Sequence, residues 1–267
     1  MCKSLLNRRG PPAVLHVDDD GTFLELVEAF LTDRHGFEVT TATDADAGLD
    51  ALADDETAVE CVISDYEMPG RNGIEFLRAV RERRPDLPFV LYTGKGSESV
   101  AADAIAAGVT EYIQKETGTA QYAVLANRVE QAVQRYRSDR RSRRRLAALD
   151  AAREGICLID DAETFEYVNP AYATLYGYDA ADLIGSDWRT VHPDDEVDRI
   201  ESDVFPTVEA RGGWSGTSAG LRSDGTTFPE SKSVQTLDSG GFVIVVCDME
   251  RDERQFDPAE VARQFSD

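Results

Sequence analysis

The sequence predicts two folds in tandem: an α/β domain built on a doubly wound sheet of five parallel strands, then a smaller α+β domain on an antiparallel sheet. Three observations predict this. Short apolar runs alternate with helix-period segments from Ala13 to about Tyr136, the pattern of strand–helix units whose crossovers give a parallel sheet. No glycine or proline interrupts the chain between residues 119 and 153, which reads as one long helix. Beyond Gly155, strand-like runs at both ends enclose short helical pieces, as expected of helices laid on one side of an antiparallel sheet.

Ala13-Val14-Leu15-His16-Val17 is the first strand. Phe23, Leu26, Val27, Phe30 and Leu31 follow at the i, i+3, i+4, i+7, i+8 spacing of one buried helix face. Gly36 stands where a helix stop belongs. Further strands are expected at residues 38–41, 61–64, 89–92 and 111–114, with helices between them. Leu125, Val129, Ala132, Val133 and Tyr136 carry the last helix into a stretch holding Arg135, Arg137, Arg140, Arg141, Arg143, Arg144 and Arg145, whose only acid is Asp139. Such a stretch binds nucleic acid, or pairs with acidic surfaces on the protein itself or on a second copy. Overall acidity favours the second reading. In the second half, strands are expected at residues 156–159 and 165–168 and again after Gly213, with Asp224-Gly225 as a hairpin turn and residues 242–246 as a central buried strand.

A chain of 267 residues has room for two cores. Its 51 acidic and 28 basic residues leave a net charge of -23, which repels nucleic acid and anionic membranes. Lysine occurs only at positions 3, 95, 115 and 232. An acidic surface with arginine as its chief cation resembles proteins of salt-loving archaea, where molar salt shrinks the Debye length to about 3 Å and self-repulsion is tolerated. Cys2, Cys61, Cys157 and Cys247 show neither metal-ligand nor disulfide-dense spacing. No apolar run reaches the roughly 20 residues of a membrane helix, and the first ten residues lack an apolar signal core. A cytoplasmic protein is expected.

Polar residues at the carboxyl ends of the predicted parallel strands fall where such sheets bind ligands. The first strand ends in Asp18-Asp19-Asp20, the third in Asp65, the fourth in Thr93 and the fifth in Lys115. Carboxylates gathered at one edge repel each other unless a cation neutralises them, and hard oxygen ligands suit Mg2+. With Asp65 as nucleophile, Mg2+ and Lys115 share the charge that develops on a transferring phosphoryl group, and Thr93 can hydrogen-bond the product. Singly, each residue has a plainer role: the acidic pair as a helix cap, Lys115 as a solvated cation, Thr93 as a strand-end hydroxyl. Their joint placement at successive strand ends points to a site. Gly94-Lys95-Gly96-Ser97 lacks the full spacing of a phosphate-binding loop.

Val17-Asp18-Asp19-Asp20, Ile63-Ser64-Asp65-Tyr66-Glu67-Met68-Pro69-Gly70, Gly73, Thr93 and Tyr112-Ile113-Gln114-Lys115 resemble the response-regulator receiver family over most of residues 12–130. The resemblance implies a flavodoxin-like sheet and phosphorylation of Asp65 by a partner histidine kinase. It also implies a Mg2+ site formed by Asp18, Asp19, Asp65 and the Glu67 main-chain carbonyl, with Asp19 the direct ligand of the acidic pair. Lys115 and Thr93 would serve the chemistry, and Thr93 with Tyr112 would form a switch pair. Two departures stand out: Glu116 follows Lys115 where receivers usually carry proline, and Gly94 follows Thr93 where a small alanine is usual.

Val168-Asn169-Pro170-Ala171, Tyr176-Gly177-Tyr178, Asp182-Leu183-Ile184-Gly185, His192-Pro193-Asp194-Asp195, Asp224-Gly225 and Asp248-Met249-Glu250-Arg251 resemble, in this order and spacing, the PAS sensor family over about residues 146–252. Members of that family hold haem, flavin or small metabolites, or hold nothing and serve dimerisation or relay. The ligand here is unknown from sequence. His192 belongs to a turn found equally in members without haem, and Cys157 and Cys247, in neighbouring strands of the family's sheet, read as a redox pair or, more commonly, as buried thiols. The expected organisation is an N-terminal tail (1–11), receiver (12–130), arginine-rich helical linker (131–149), PAS domain (150–252) and acidic tail (253–267). Because only that tail follows Arg251, output is expected through contacts, with a homodimer through the linker or PAS domain among them. Function is expected to be that of a response regulator, a phosphoacceptor and not an enzyme. The alternatives are a ligand-sensing scaffold with a rarely phosphorylated receiver, and an aspartyl-phosphate phosphohydrolase using Glu67 as general acid.

Overall fold

Strands covered on both faces need apolar residues at most positions, and the three central strands of the first sheet have them. The computed structural model describes residues 10–53, 58–94, 98–238 and 240–249. Residues 95–97, both expected tails apart from Gly10 and Pro11, and Glu250 and Arg251 of the closing PAS tract lie outside these. The chain divides into two compact units between Ser142 and Arg143.

The first unit runs β1 (Ala13–Val17), α1 (Gly21–His35), β2 (Glu38–Ala42), α2 (Ala45–Ala53), β3 (Cys61–Ser64), α3 (Gly73–Arg83), β4 (Phe89–Thr93), α4 (Glu98–Ala106), β5 (Glu111–Gln114) and the part of α5 (Ala120–Asp150) that precedes Arg143. All strand pairs are parallel, in the order β2-β1-β3-β4-β5. The order reverses between β1 and β3, which opens a crevice at their carboxyl ends. β3 and β4 are buried along their whole length. Their alternate residues supply two cores: Ile63, Val90 and Tyr92 join Val27, Leu31, Leu125 and Val129 beneath α1 and α5, while Val62, Phe89 and Leu91 join Phe76 and Leu77 of α3.

On α1 the buried set is Leu24, Val27 and Leu31, whereas Leu26 is 50% exposed. The expected face was therefore turned slightly: Leu26 lies about 100° round the helix from Val27, past the edge of the apolar stripe. Gly36 ends α1 with φ +69°, a left-handed cap that glycine adopts without a Cβ penalty. The buried residues of α5 stop at Val133. Beyond it, Arg135 pairs with Glu111 at 3.7 Å, and Arg137 pairs with Glu60 and donates to the carbonyls of Gly10 and Pro11. Arg140, Arg141, Arg144 and Arg145 are exposed.

The second unit runs β6 (Gly155–Ile159), β7 (Phe165–Val168), α6 (Pro170–Tyr176), α7 (Ala180–Leu183), a 3-10 turn (Trp188–Val191), α8 (Asp194–Arg199), a π-helical turn (Ile200–Val204), α9 (Phe205–Arg211), β8 (Gly213–Leu221), β9 (Thr227–Thr236) and β10 (Phe242–Asp248). Its sheet is antiparallel with β10 at the centre, in the order β7-β6-β10-β9-β8. Buried Asn169 caps α6 by accepting from Tyr172 N, accepts from Ile156 N, and donates to the carbonyls of Leu149 and Glu154. Cys157 stands opposite Ile244, three residues from Cys247. An odd offset along a strand sends the two thiols to opposite faces, so they form no redox pair in this fold. Among the described residues, no helix is long and apolar enough to cross a membrane.

A polar cluster lies inside this second core. Glu230 accepts from the Tyr176 hydroxyl, from Ser218 Oγ at 2.9 Å and from Lys232 Nζ at 2.7 Å. Lys232 Nζ also donates to His192 Nε2 at 2.8 Å. An ammonium only donates, so His192 carries its proton on Nδ1 and gives it to the Ala219 carbonyl at 2.8 Å. Burial, with Lys232 nearby, pushes the His192 pKa down to about 4. Burial pushes Glu230 up, but Lys232, His192 and the Tyr176 hydroxyl together outweigh it and leave the carboxyl below its usual range.

Two predictions follow from these contacts. A Cβ on Gly73 would lie 2.2 Å from the Asp65 carbonyl oxygen and 2.7 Å from Leu91 Cδ1; Gly73→Ala is expected to cost the first unit about 1–3 kcal/mol in urea unfolding. The second concerns pH. The unfolded chain takes up a proton on His192 below its ordinary 6.5, while the folded ring refuses it until about 4. Stability of the second unit is therefore full above pH 6.5 and falls by about 3 kcal/mol as pH drops through that window. Unfolding curves at graded pH should show this slope in the wild type and a shallower one in His192→Gln.

Candidate functional site

Three aspartates at the end of β1 take three different places. Asp20 caps α1, its Oδ1 accepting from Thr22 N at 3.0 Å and Phe23 N at 3.1 Å. Asp19 is exposed to solvent. Asp18 is buried at the switch point, and its Oδ1 accepts from Asp20 N at 3.0 Å. The capping role that a strand-end acid invites thus falls to Asp20 and leaves its two neighbours free for the crevice.

Lys115 joins the strand ends. Its Nζ lies 2.6 Å from Asp18 Oδ2 and 2.7 Å from Asp65 Oδ1. The other carboxylate oxygen of Asp65, Oδ2, accepts from Glu67 N at 2.6 Å, while the Glu67 side chain is exposed. Both Asp65 oxygens are held by donors before any ligand arrives. Asp65 N donates to the Val17 carbonyl and Gly73 N to the Tyr66 carbonyl, so the loop after β3 is pinned at both ends. The Asn72 capping box at the start of α3 fixes the far side of that loop.

Thr93 is buried at the end of β4, and its carbonyl accepts from Lys115 N at 2.8 Å. In the β4–β5 register Tyr112 pairs with Leu91, two residues before Thr93. The Tyr112 ring is half-buried against the α3-side core, and its hydroxyl is buried with no hydrogen-bond partner. The acidic, lysine and threonine positions expected from sequence therefore converge at one edge, with Tyr112 on the adjoining strand.

Sequence reading missed the residues that aim Lys115. Its Nζ sits 4.3 Å above the Phe23 ring and 5.7 Å from that of Tyr92, a cation–π arrangement. Gln121, in the first turn of α5, accepts on Oε1 from the Tyr92 hydroxyl at 2.6 Å and from Glu116 N at 2.9 Å, and donates to the Gly118 carbonyl at 2.9 Å. The N–H that Glu116 has, and a proline would lack, is thus engaged. Below this cluster His16 is fully buried with both ring nitrogens unpartnered, and burial, with Lys115 nearby, lowers its pKa to about 3, so the ring is neutral. Burial raises the Asp18 pKa against the opposing pull of Lys115.

The donor set suits a hard divalent cation. Asp18 and Asp65 share one lysine, so with Asp19 beside them the carboxylates outnumber the cation and leave charge to neutralise. Among the described residues no three His, Cys, Asp or Glu side chains form a ready metal cage. This is compatible with Mg2+, which keeps several waters and needs few protein ligands.

Comparison with known proteins agrees with this geometry. Residues 14–127 match the response regulator receiver domain family and residues 141–209 the PAS domain family. The chain is 36% identical over 99 residues to the transcriptional regulatory protein FixJ of Bradyrhizobium diazoefficiens, covering 37% of this chain and 47% of that protein. It is 30% identical over 152 residues to FixJ of Azorhizobium caulinodans, covering 55% of this chain and 71% of that protein. To the bacterioopsin transcriptional activator of Halobacterium salinarum it is 28% identical over 206 residues, 71% of this chain but 28% of that larger protein. The chain spans about half the length, or less, of the first of these and of the Halobacterium protein. With a parallel sheet ending in the Asp18–Lys115–Asp65 cluster and a second antiparallel sheet of its own, the chain belongs to the two-component response regulators, as a receiver domain followed by a PAS domain.

Proposed function

We propose that Asp65 accepts a phosphoryl group from a partner histidine kinase. The observation that carries this reading is the single lysine held between Asp18 and Asp65 at the carboxyl edge of the sheet. An Asp65 carboxylate oxygen forms the new P–O bond as the P–N bond of the donor phosphohistidine breaks, and the electron pair leaves on the imidazole nitrogen. The product is an acyl phosphate. Lys115, already paired with both carboxylates, offsets the charge on the phosphoryl oxygens, and buried Thr93 stands at the neighbouring strand end to donate to one of them. Asp18, Asp19, Asp65 and the Glu67 carbonyl would hold Mg2+. When bound, Mg2+ neutralises charge shared by the carboxylates and the phosphoryl group.

The Thr93–Tyr112 switch is supported by the buried, unpartnered Tyr112 hydroxyl, since an orphaned polar atom costs about 1–3 kcal/mol and leaves that ring position open to exchange. The arginines beyond Val133 suit pairing with acidic surfaces, including those of a second copy, and the net charge of -23 disfavours nucleic acid. A phosphohydrolase would need the Glu67 side chain at the reacting oxygen; its exposure gives no observation in favour of that reading.

The decisive experiment is intact-mass analysis after incubation with Mg2+ and acetyl phosphate in buffers from low to molar salt. One added phosphoryl group is expected in the wild type and none in Asp65→Asn, while no gain in either would overturn the assignment; release of phosphate far beyond one equivalent would mark a hydrolase. Glu116→Pro removes one arm of the brace beside Lys115, and Gln121→Ala removes all of it. Labelling rates are expected to fall roughly three- to ten-fold, with little change in melting temperature. Unchanged rates would show that Lys115 aims itself.

A further inference from the structure

Lys115 has a third neighbour besides its two carboxylates. Asp18 and Asp65 accept two of the three N–H bonds of its ammonium, and Nζ stands over the face of the Phe23 ring, 4.3 Å from its centroid. Phe23 is half-buried, and the Lys115 side chain is 20% exposed. A ring quadrupole attracts an ammonium more strongly when both are partly withdrawn from water, and it does so without occupying an N–H bond. Tyr92, at 5.7 Å, stands near the outer limit of such a contact.

Four groups fix the ring. Phe23 N donates to Asp20 Oδ1 at 3.1 Å, so the helix cap sets the residue in the first turn of α1. The His16 ring of β1 meets Phe23 at 6.1 Å and an interplanar angle of 67°, Tyr92 of β4 lies at 5.9 Å, and Tyr122 of α5 at 6.3 Å. The third aspartate of the acidic run thus reaches the site through the residue it caps. Other side chains at position 23 would act differently. A carboxylate would bind the ammonium more tightly and compete for it with the incoming phosphoryl oxygens. Leucine would fill much of the same space and exert no pull. A ring attracts the ammonium and leaves its N–H bonds to the oxygens that change during the reaction.

We propose that Phe23 is a positioning residue for phosphoryl acceptance, its ring face holding the Lys115 ammonium at the strand edge while the partners of that ammonium change from carboxylate to phosphoryl oxygens. The proposal rests on Asp65 as the acceptor. Its test keeps the shape of the ring and removes the quadrupole. In the full chain, Phe23 alone is replaced by its 4-fluoro, 3,5-difluoro and pentafluoro analogues, and separately by leucine, and labelling of Asp65 by acetyl phosphate with Mg2+ is followed by intact mass. The rate should fall stepwise with fluorine number, reaching about three- to ten-fold below wild type in the pentafluoro form and in Phe23→Leu. Packing alone would not grade the rate in this way.

A second readout needs no phosphoryl transfer. With lysine at only four positions, 13C-lysine labelling resolves the ε-methylene of Lys115, assigned by its loss in Lys115→Arg. The ring current of Phe23 should move that signal upfield of the other lysines and release it in Phe23→Leu. The inference is overturned by a flat rate across the fluorine series, by Phe23→Leu labelling as fast as wild type, or by a Lys115 signal that does not differ from the rest. If Phe23→Leu fails to fold, the fluorinated forms and the wild-type signal still decide. A wild type that labels while the series is flat sinks this inference alone; a wild type that takes up no phosphoryl group sinks the reading of Asp65 and this inference with it.

Discussion

Everything in the first unit is arranged around one ammonium group between two buried carboxylates. Asp18, Asp65 and Lys115 stand just past the ends of β1, β3 and β5, and 97 positions of sequence separate the first from the last. Bringing them within 2.7 Å requires the strand order, the register and the pinned loops together. The ion pairs themselves are not a strong source of stability, because desolvation offsets most of what a buried pair gains. The apolar strands stabilise the sheet, and the sheet in turn holds the charges where water alone would let them part.

That division of labour explains what could be read from sequence. Apolar runs and helix periods reveal strands because burial on both faces demands them, and strand ends then reveal Asp18, Asp65, Thr93 and Lys115. The same reading placed the long helix and the PAS-type sheet, since Asp224-Gly225 and the run at residues 242–246 obey local rules. Phe23, Tyr92 and Gln121 were not legible. Their roles depend on side-chain directions set by three different elements, and an aromatic residue in a core helix or strand carries no mark that a cation will sit on it. Leu26 failed for a related reason: five apolar residues within nine positions of α1 define a face only to within one side chain.

The second unit illustrates a different limit. Lys232 is one of four lysines in the chain, and in a protein that uses arginine almost everywhere else this scarcity was a usable signal. Nothing in the sequence, however, indicates that Lys232 turns inward, because alternation along β9 is read from apolar residues and Glu230 and Lys232 are charged. Both are buried with Val234 on the same face of the strand. Such a network is stable only when its members satisfy one another, as Glu230, Tyr176, Ser218, Lys232 and His192 do here.

The bond between Gln121 and the Glu116 amide also bears on how this sequence can drift. A proline at position 116 removes the donor, so Gln121 would keep only Tyr92 as a donor to its side-chain oxygen, and a change at 121 strands the Glu116 amide. Neither substitution is neutral without the other. Positions 116 and 121 are therefore expected to vary as a pair among related sequences, with glutamine at 121 accompanying a residue other than proline at 116.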